Sequence, residues 1–499
     1  MRKLFKAFAT VTLVSVITRL LSFVFKIYLS RKLGAEILGL YQICMSVFML
    51  FACICCSGLP VTLSRITAES DAVGDTKKQF GSVSTCLLAG VLLTLFMVSV
   101  LLTFPQILDF VFTDARCKKL FMIMLPMLLT SCIYAVLRGW FWGKKYFGIF
   151  SVTEFADEVL KVLFAVILLE GGILAISKEY AYAAAMLAGD IIIIIIILIL
   201  FFVKKGKLKR PAMAKEIAKS ATPLTVTRIV GSLTSTFISL VLPSLLVSSC
   251  GLSANEATAE FGRASGMVMP LLFTPTSIIG SLGVVLIPEI ASANAESGVG
   301  PLSKSLSGAI AFSCLVACYF FALFTAVGEE LATKLYDDTK SGEYLAFAAI
   351  IVVPMCINGL VVSMLNSMGK ELNTFISHVA SCALLIVVLL ITPKYLGVKA
   401  YFVALGVFHS VAMIINLIML NKYSGLDLKA GFKCCAYMAY STAVTLIGRY
   451  VLSLLEIPLL LKVAIGGIGI TLAFVPLALS VKSLKLAKRV TLKNRVFFL

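Results

Sequence analysis

Arg19 and Lys26 stand seven residues apart in the apolar run 8–29, about two helical turns, which places both on one face of a helix. An ionisable side chain at mid-bilayer costs roughly 2.5–3.5 kcal/mol on insertion scales, so each one inside such a run asks for a cavity, a partner or a function. The Arg19 face either lines a cavity together with Lys26, or Lys26 snorkels to the interface and leaves Arg19 alone at depth. The run 152–173 carries Glu154, Asp157, Glu158 and Lys161, and Asp157 and Lys161 are spaced i, i+4, so they can neutralise each other. Asp190, near the middle of 181–203, needs a partner, which is Lys161 or Arg19. Arg138 closes the run 120–141, beside Gly139-Trp140-Phe141-Trp142-Gly143, where an interfacial aromatic belt accounts for the tryptophans. Further on, Arg228 lies early in the run 222–248 and Arg263 opens the next.

These charges narrow the chemistry. The runs 8–29 and 222–248 contain arginine or lysine but no Asp or Glu. A cation antiporter needs an ionisable carboxylate to exchange substrate against protons or sodium, whereas a carrier of phosphorylated substrates needs basic groups to pair with phosphate oxygens. The inventory favours an anionic substrate. His378 and His409 sit on separate late runs without neighbouring carboxylates and read as packed polar residues. The fourteen cysteines, including Cys53, Cys55, Cys56 and the pair Cys434, Cys435, lie mostly in apolar runs without metal-ligand spacing and read as small buried hydrophobes. No Gly-rich phosphate loop, nucleophile motif or metal cluster is present, so the sequence calls for no cofactor and no metal, and enzyme chemistry has no support.

The elements that hold these residues are membrane spans. Of 499 residues, 60% are hydrophobic and 14% charged, and the mean hydropathy is +1.03, whereas soluble domains are about 45–50% apolar and about 25% charged. Apolar runs of the length a helix needs to span, about 20 residues, fall near 8–29, 39–63, 80–104, 120–141, 152–173 and 181–203, then near 222–248, 264–288, 306–328, 344–367, 374–392, 399–421, 431–452 and 458–480. The fold class expected is an all-α polytopic membrane protein of about 14 transmembrane helices. The N-terminal segment, with Arg2, Lys3 and Lys6 ahead of an apolar run, mimics a signal peptide, but the run carries Arg19 and Lys26 and lacks a small-residue cleavage site, so it reads as a retained first span.

The net charge of +19 would suggest nucleic acid in a soluble protein. Here the basic residues gather in alternate loops: 25 Lys and Arg lie in loops on the side of the N-terminus and 12 in the opposite loops. That asymmetry places both termini on the cytoplasmic side of the membrane and requires an even number of spans. The stretch 204–219, with seven Lys and Arg, looks like a cytoplasmic linker. The expected domains are a six-helix lobe at 1–203, the linker at 204–219, a second six-helix lobe at 220–421, and helices 13 and 14 with a basic tail at 422–499. The halves show a weak repeat. Gly39-Leu40-Tyr41 and Phe261-Gly262 follow the leading span of each, and Leu63-Ser64-Arg65-Ile66-Thr67-Ala68 parallels Ile287-Pro288-Glu289-Ile290-Ala291-Ser292. Six spans per repeat is an even number, so such lobes share an orientation, relate by an axis along the membrane normal, and enclose a cavity that rocking would open alternately to each side.

The stretches Thr18-Arg19-Leu20-Leu21-Ser22-Phe23, Ser30-Arg31-Lys32-Leu33-Gly34-Ala35-Glu36 and Gly39-Leu40-Tyr41 resemble the opening of the polysaccharide-type flippases of the multidrug/oligosaccharidyl-lipid/polysaccharide superfamily. Arg138 to Gly143 is similar to their fourth-span signature, and within the superfamily the resemblance is greatest to the stage V sporulation protein B group, near the lipid II flippases. It implies a V-shaped pair of six-helix lobes and a substrate built on a polyprenyl pyrophosphate carrying sugars. It also implies that Arg19 and Arg263 match cavity arginines of the lipid II flippases that hold the pyrophosphate. A second first-span arginine of that group falls at Phe25, with Lys26 beside it, and the second-span arginines are missing from Phe48 to Cys56. An acid-to-base pair typical of the sporulation group matches Asp157 and Lys161.

The expected function is therefore export of a lipid-linked oligosaccharide or peptidoglycan precursor to the outer leaflet by alternating access, in cell-wall or spore-cortex synthesis. Arg19, Lys26 and Arg263 are the expected pyrophosphate ligands, and Asp157, Lys161, Asp190 and Arg138 form an intramembrane charge network. The expected partners are the lipid-linked saccharide, membrane lipids and cell-wall synthesis proteins, with no nucleic acid. The alternatives are a cation-coupled multidrug antiporter of the same superfamily, dependent on Asp190 or Asp157, and a non-transporting scaffold for envelope assembly. A membrane glycosyltransferase ranks last, because no loop is long enough to fold a sugar-nucleotide domain.

Overall fold

The structure, a computed structural model, describes residues 2–112, 114–171, 177–280, 290, 303–426, 428–454 and 457–480. Among them there is helix and no strand. In lipid every backbone N–H and C=O needs an internal partner, and a helix supplies it within one segment. The helices are α1 (Arg2–Cys56), α2 (Leu59–Val73), α3 (Thr76–Thr103), α4 (Gln106–Val111), α5 (Ala115–Gly143), α6 (Phe147–Glu170), α7 (Lys178–Val203), α8 (Ala214–Cys250) and α9 (Ala254–Gly262). A π-helical turn (Arg263–Val268) and the short α10 (Met269–Leu272) follow. Then come α11 (Ser303–Tyr336), α12 (Thr339–Ala348), α13 (Val352–Ser367), α14 (Glu371–Ile391), α15 (Pro393–Leu396), α16 (Lys399–Ser424), α17 (Leu428–Ser453) and α18 (Leu459–Ser480).

Ten of the described helical stretches are long and apolar enough to cross a membrane. The first of them, Val14–Val73, covers two expected spans, because α1 changes direction at Gly34 (φ 79°, ψ 170°) without a connecting loop. Only a residue without Cβ takes that backbone conformation readily. The charged α6 and α17 occupy the fifth and thirteenth expected spans, and the eighth, 264–288, is described only as far as Gly280. These placements are consistent with fourteen spans. The segment Ile287 to Ser292, apart from Ile290, and the basic tail 481–499 lie outside the described residues.

The described residues pack into two units, those within Met1–Val247 and Leu252–Gly262, and those within Ser248–Gly251 and Arg263–Leu499. In the first unit α8 packs against the break between α1 and α2. A Cβ on Gly58 would strike the Ala221 carbonyl, and the Gly58 N–H donates to Thr225 Oγ1 at 3.1 Å. Trp140 is fully buried, edge-on to Phe201 with ring centroids 4.7 Å apart. The aromatic-belt reading of this residue is thereby corrected: it packs inside a helix bundle, where its large apolar surface is covered by protein. The glycines of the same motif serve this packing. Added Cβ atoms on Gly139 and Gly143 would strike the Pro60 and Ser64 carbonyls, so the two lie one turn apart on the face of α5 where α2 makes its close approach.

The alternate loops of the first unit gather at two ends. At one end Arg116 donates to Glu36 Oε1 at 2.7 Å, Asp114 Oδ2 at 2.8 Å and Asn255 Oδ1 at 2.8 Å, while Lys32 pairs with Glu170 at 2.6 Å. At the other, Lys144 pairs with Asp71 at 2.5 Å and Lys209 donates to Thr76 Oγ1 at 3.2 Å.

In the second unit α11 is the central helix. Ser441 on α17 donates to the Cys318 carbonyl at 2.7 Å, Thr471 on α18 shares a hydrogen bond with Tyr319 at 3.0 Å, and Asn416 on α16 donates to Asn358 on α13 at 2.9 Å. The histidines pack as expected, His378 edge-on to Phe408 with centroids 5.3 Å apart.

Candidate functional site

The charges of the first unit sort into committed and uncommitted groups. Lys161 on α6 bridges two carboxylates, Asp157 Oδ2 at 2.9 Å one turn back and Asp190 Oδ1 at 3.0 Å on α7. Gly189 makes the second contact possible, because a Cβ there would press 2.9 Å from Lys161 Cγ. Two helices are thus joined through three charges that are mostly shielded, with side-chain exposures of 23%, 20% and 10%. Of the two partners open to Asp190 from sequence, the structure selects Lys161.

Arg138 is held differently. Its guanidinium lies 4.2 Å from the centre of the Trp142 ring and 5.3 Å from that of Phe150, a stacking geometry that suits a planar delocalised cation. Glu154 lies within electrostatic reach of both Arg138 and Arg19.

Arg19 and Lys26 are exposed on α1, and among the described residues neither makes an ion pair. Lys26 has Glu158 within electrostatic reach. Phe25, where a charge of the lipid II group would fall, is 7% exposed and stacks beside Tyr28 and Tyr182 with centroids 6.3 and 6.4 Å away. The neighbouring position, about 100° further round the helix, is uncovered and carries the charge instead.

Arg263 belongs to the second unit. It opens the π-helical turn, and its Nε donates to Asp338 Oδ2 at 2.8 Å. Asp338 also caps α12 by accepting from the Ser341 N–H at 2.8 Å. Arg263 therefore ties two helix beginnings together, a part that its isolated position in the sequence did not signal.

Two features were not assigned a part from sequence. Arg228 on α8 donates to the Ser57 carbonyl at 2.8 Å, which lies in the break between α1 and α2. Glu154 and Glu158 set negative charge against the basic face of α1; their spacing of four residues was visible, but which helix they would meet was not.

The chain matches the family described as Polysaccharide biosynthesis protein over residues 4–294. It belongs to that family. This polysaccharide biosynthesis family member is 25% identical over 435 residues to the stage V sporulation protein B of Bacillus subtilis (strain 168), covering 83% of this chain and 82% of that protein. In fold it is similar to the lipid II flippase MurJ in an inward closed conformation, with a TM-score of 0.70 at 14% identity, covering 96% of this chain and 99% of the other. It is also similar to a multidrug resistance transporter of the MATE family in an inward-facing conformation, with a TM-score of 0.68 at 15% identity over 86% and 98% of the two chains. The family member is therefore embedded in a membrane, and its fold is that of the transporters of this superfamily.

Proposed function

We infer that this family member is a flippase that moves a lipid-linked saccharide, of the polyprenyl pyrophosphate class, from the cytoplasmic to the outer leaflet of a bacterial cell membrane, in cell-wall or spore-cortex synthesis. It is a transporter and not an enzyme. The observation that carries this reading is the pair of exposed cations on one face of α1, Arg19 and Lys26, which make no ion pair among the described residues, in a chain similar to a stage V sporulation protein B and a lipid II flippase. Basic groups held at that depth attract an anion, and a pyrophosphate offers several acceptor oxygens to each. Arg263, in the second unit, is a further phosphate ligand of this reading, exchanging Asp338 for a phosphate oxygen. The lobes 1–203 and 220–421, joined by 204–219 and followed by 422–499, alternate access with both termini in the cytoplasm, and cell-wall synthesis proteins supply and consume the substrate.

The antiporter alternative is weakened by a specific observation: the two carboxylates it would use, Asp157 and Asp190, are both engaged by Lys161. The test is reconstitution into vesicles with fluorescently labelled lipid-linked sugars. Arg19→Ala is expected to slow translocation by roughly 10- to 100-fold, as loss of a charged hydrogen bond of about 1.5–3 kcal/mol implies, with Lys26→Ala smaller in effect. Unaltered flipping in the Arg19→Ala, Lys26→Ala double variant would remove this site.

A further inference from the structure

The apolar helix α7 ends at Val203, and the chain turns back at once. The Lys205 N–H bonds to the Phe202 carbonyl at 2.9 Å and the Gly206 N–H to the Phe201 carbonyl at 2.8 Å. Lys205 holds the turn at φ 62°, a left-handed conformation that usually falls to glycine or asparagine. The turn directs basic side chains into a cleft of about 640 Å³ lined by Lys204, Lys205, Lys207 and Lys209, with Lys144 from the end of α5. Asp71 is the one carboxylate in the lining.

Most polar groups of the cleft are already matched. Lys144 pairs with Asp71, Lys209 donates to Thr76, and Lys204 lies over the Tyr146 ring. Lys205 and Lys207 make no ion pair among the described residues. In the wall, Ser70 and Gln79 are each 2% exposed, yet Ser70 Oγ and Gln79 Nε2 have no hydrogen-bond partner among the described residues. Buried donors without acceptors are costly, and a site that keeps two of them beside two unpaired lysines is short of an anion with several acceptor oxygens. Phe202 belongs to the same lining and, with Val203, presents 55% and 66% of its surface outside the protein. The cleft therefore opens where the apolar span meets the interface, within reach of acyl chains.

We propose that this cleft binds the phosphate headgroup of an anionic bilayer lipid, with Lys205 and Lys207 neutralising the charge, the Ser70 hydroxyl and the Gln79 amide, covered in the unliganded wall, rotating outward to donate to the phosphate oxygens, and Phe202 against the acyl chain. The site is separate from the Arg19 face and is read by lipid binding, so its failure and that of the transport reading are distinguishable.

The test uses the full chain in nanodiscs of phosphatidylcholine with rising phosphatidylglycerol, reading the shift in thermal unfolding temperature and the capture of a photoreactive phosphatidylglycerol. Wild type is expected to saturate. Lys205→Gln with Lys207→Gln is expected to weaken binding at least about tenfold, the loss that removal of a hydrogen bond to a charged group produces, and Gln79→Leu is expected to weaken it without altering net charge. Lys215→Gln with Lys219→Gln, the same charge loss outside the cleft, is expected to bind as wild type does. Equal losses in both lysine pairs would reduce the effect to general surface attraction and overturn the proposal. So would an equal stabilisation by inorganic phosphate in pure phosphatidylcholine, which would make the ligand a free anion.

Discussion

Lys161 Nζ lies 3.0 Å from Asp190 Oδ1, across the interface between α6 and α7, while still holding Asp157 at 2.9 Å on its own helix. One cation thus serves two carboxyl groups. Removing the lysine would leave two shielded carboxylates facing each other. Lys161→Ala is expected to destabilise the protein by about 3–5 kcal/mol, measured by chemical unfolding in detergent. Asp190→Asn keeps the Asp157 partner and should cost clearly less. A larger loss from Asp190→Asn than from Lys161→Ala would contradict this account of the triad.

A second expectation concerns Gly39 and Gly262, the two motif glycines. A Cβ on Gly39 would strike the Thr258 carbonyl, and one on Gly262 the Ala35 carbonyl. The contact is reciprocal, each glycine meeting the residue four places before the other, as two segments of a repeat would make it. Gly39→Ala and Gly262→Ala are each expected to cost about 1–3 kcal/mol by overpacking. The double variant should cost less than the sum, because one separation of the helices relieves both clashes. Additive losses in the same unfolding assay would mean that the two sites are independent.

The third prediction is a pH dependence. Burial pushes the Asp114 carboxyl upward, but the hydrogen bonds and charge of Arg116 outweigh it and hold the group below its ordinary value. A carboxylate depressed in the folded state adds stability that is complete above the unfolded value, about 3.9, and is lost as pH falls through the lower folded value. The stability difference between wild type and Asp114→Asn should therefore be constant from pH 5 to 7 and shrink below about pH 4. A difference that grows on acidification would reverse the sign and exclude the Arg116 pairing as its source.

Arg138 shows the boundary between what residue types announce and what packing decides. Its motif was legible as a unit, and so was its place at the end of a span. That Trp140 is buried against Phe201 and that Trp142 lies beneath the guanidinium could not be read, because an interfacial belt and a packed bundle draw on the same aromatic residues.

The sequence by itself determined the all-helical membrane class and the family, because hydropathy and short motifs are properties of contiguous segments. It also determined the Asp157–Lys161 pair, whose spacing is that of one helical turn. Only the tertiary structure decided that Asp190 joins them, that Arg263 is held by Asp338, and that Arg19 and Lys26 make no ion pair among the described residues. Each of those outcomes depends on which helices lie side by side, and a charge chooses its partner by distance in space, which spacing along the chain does not encode.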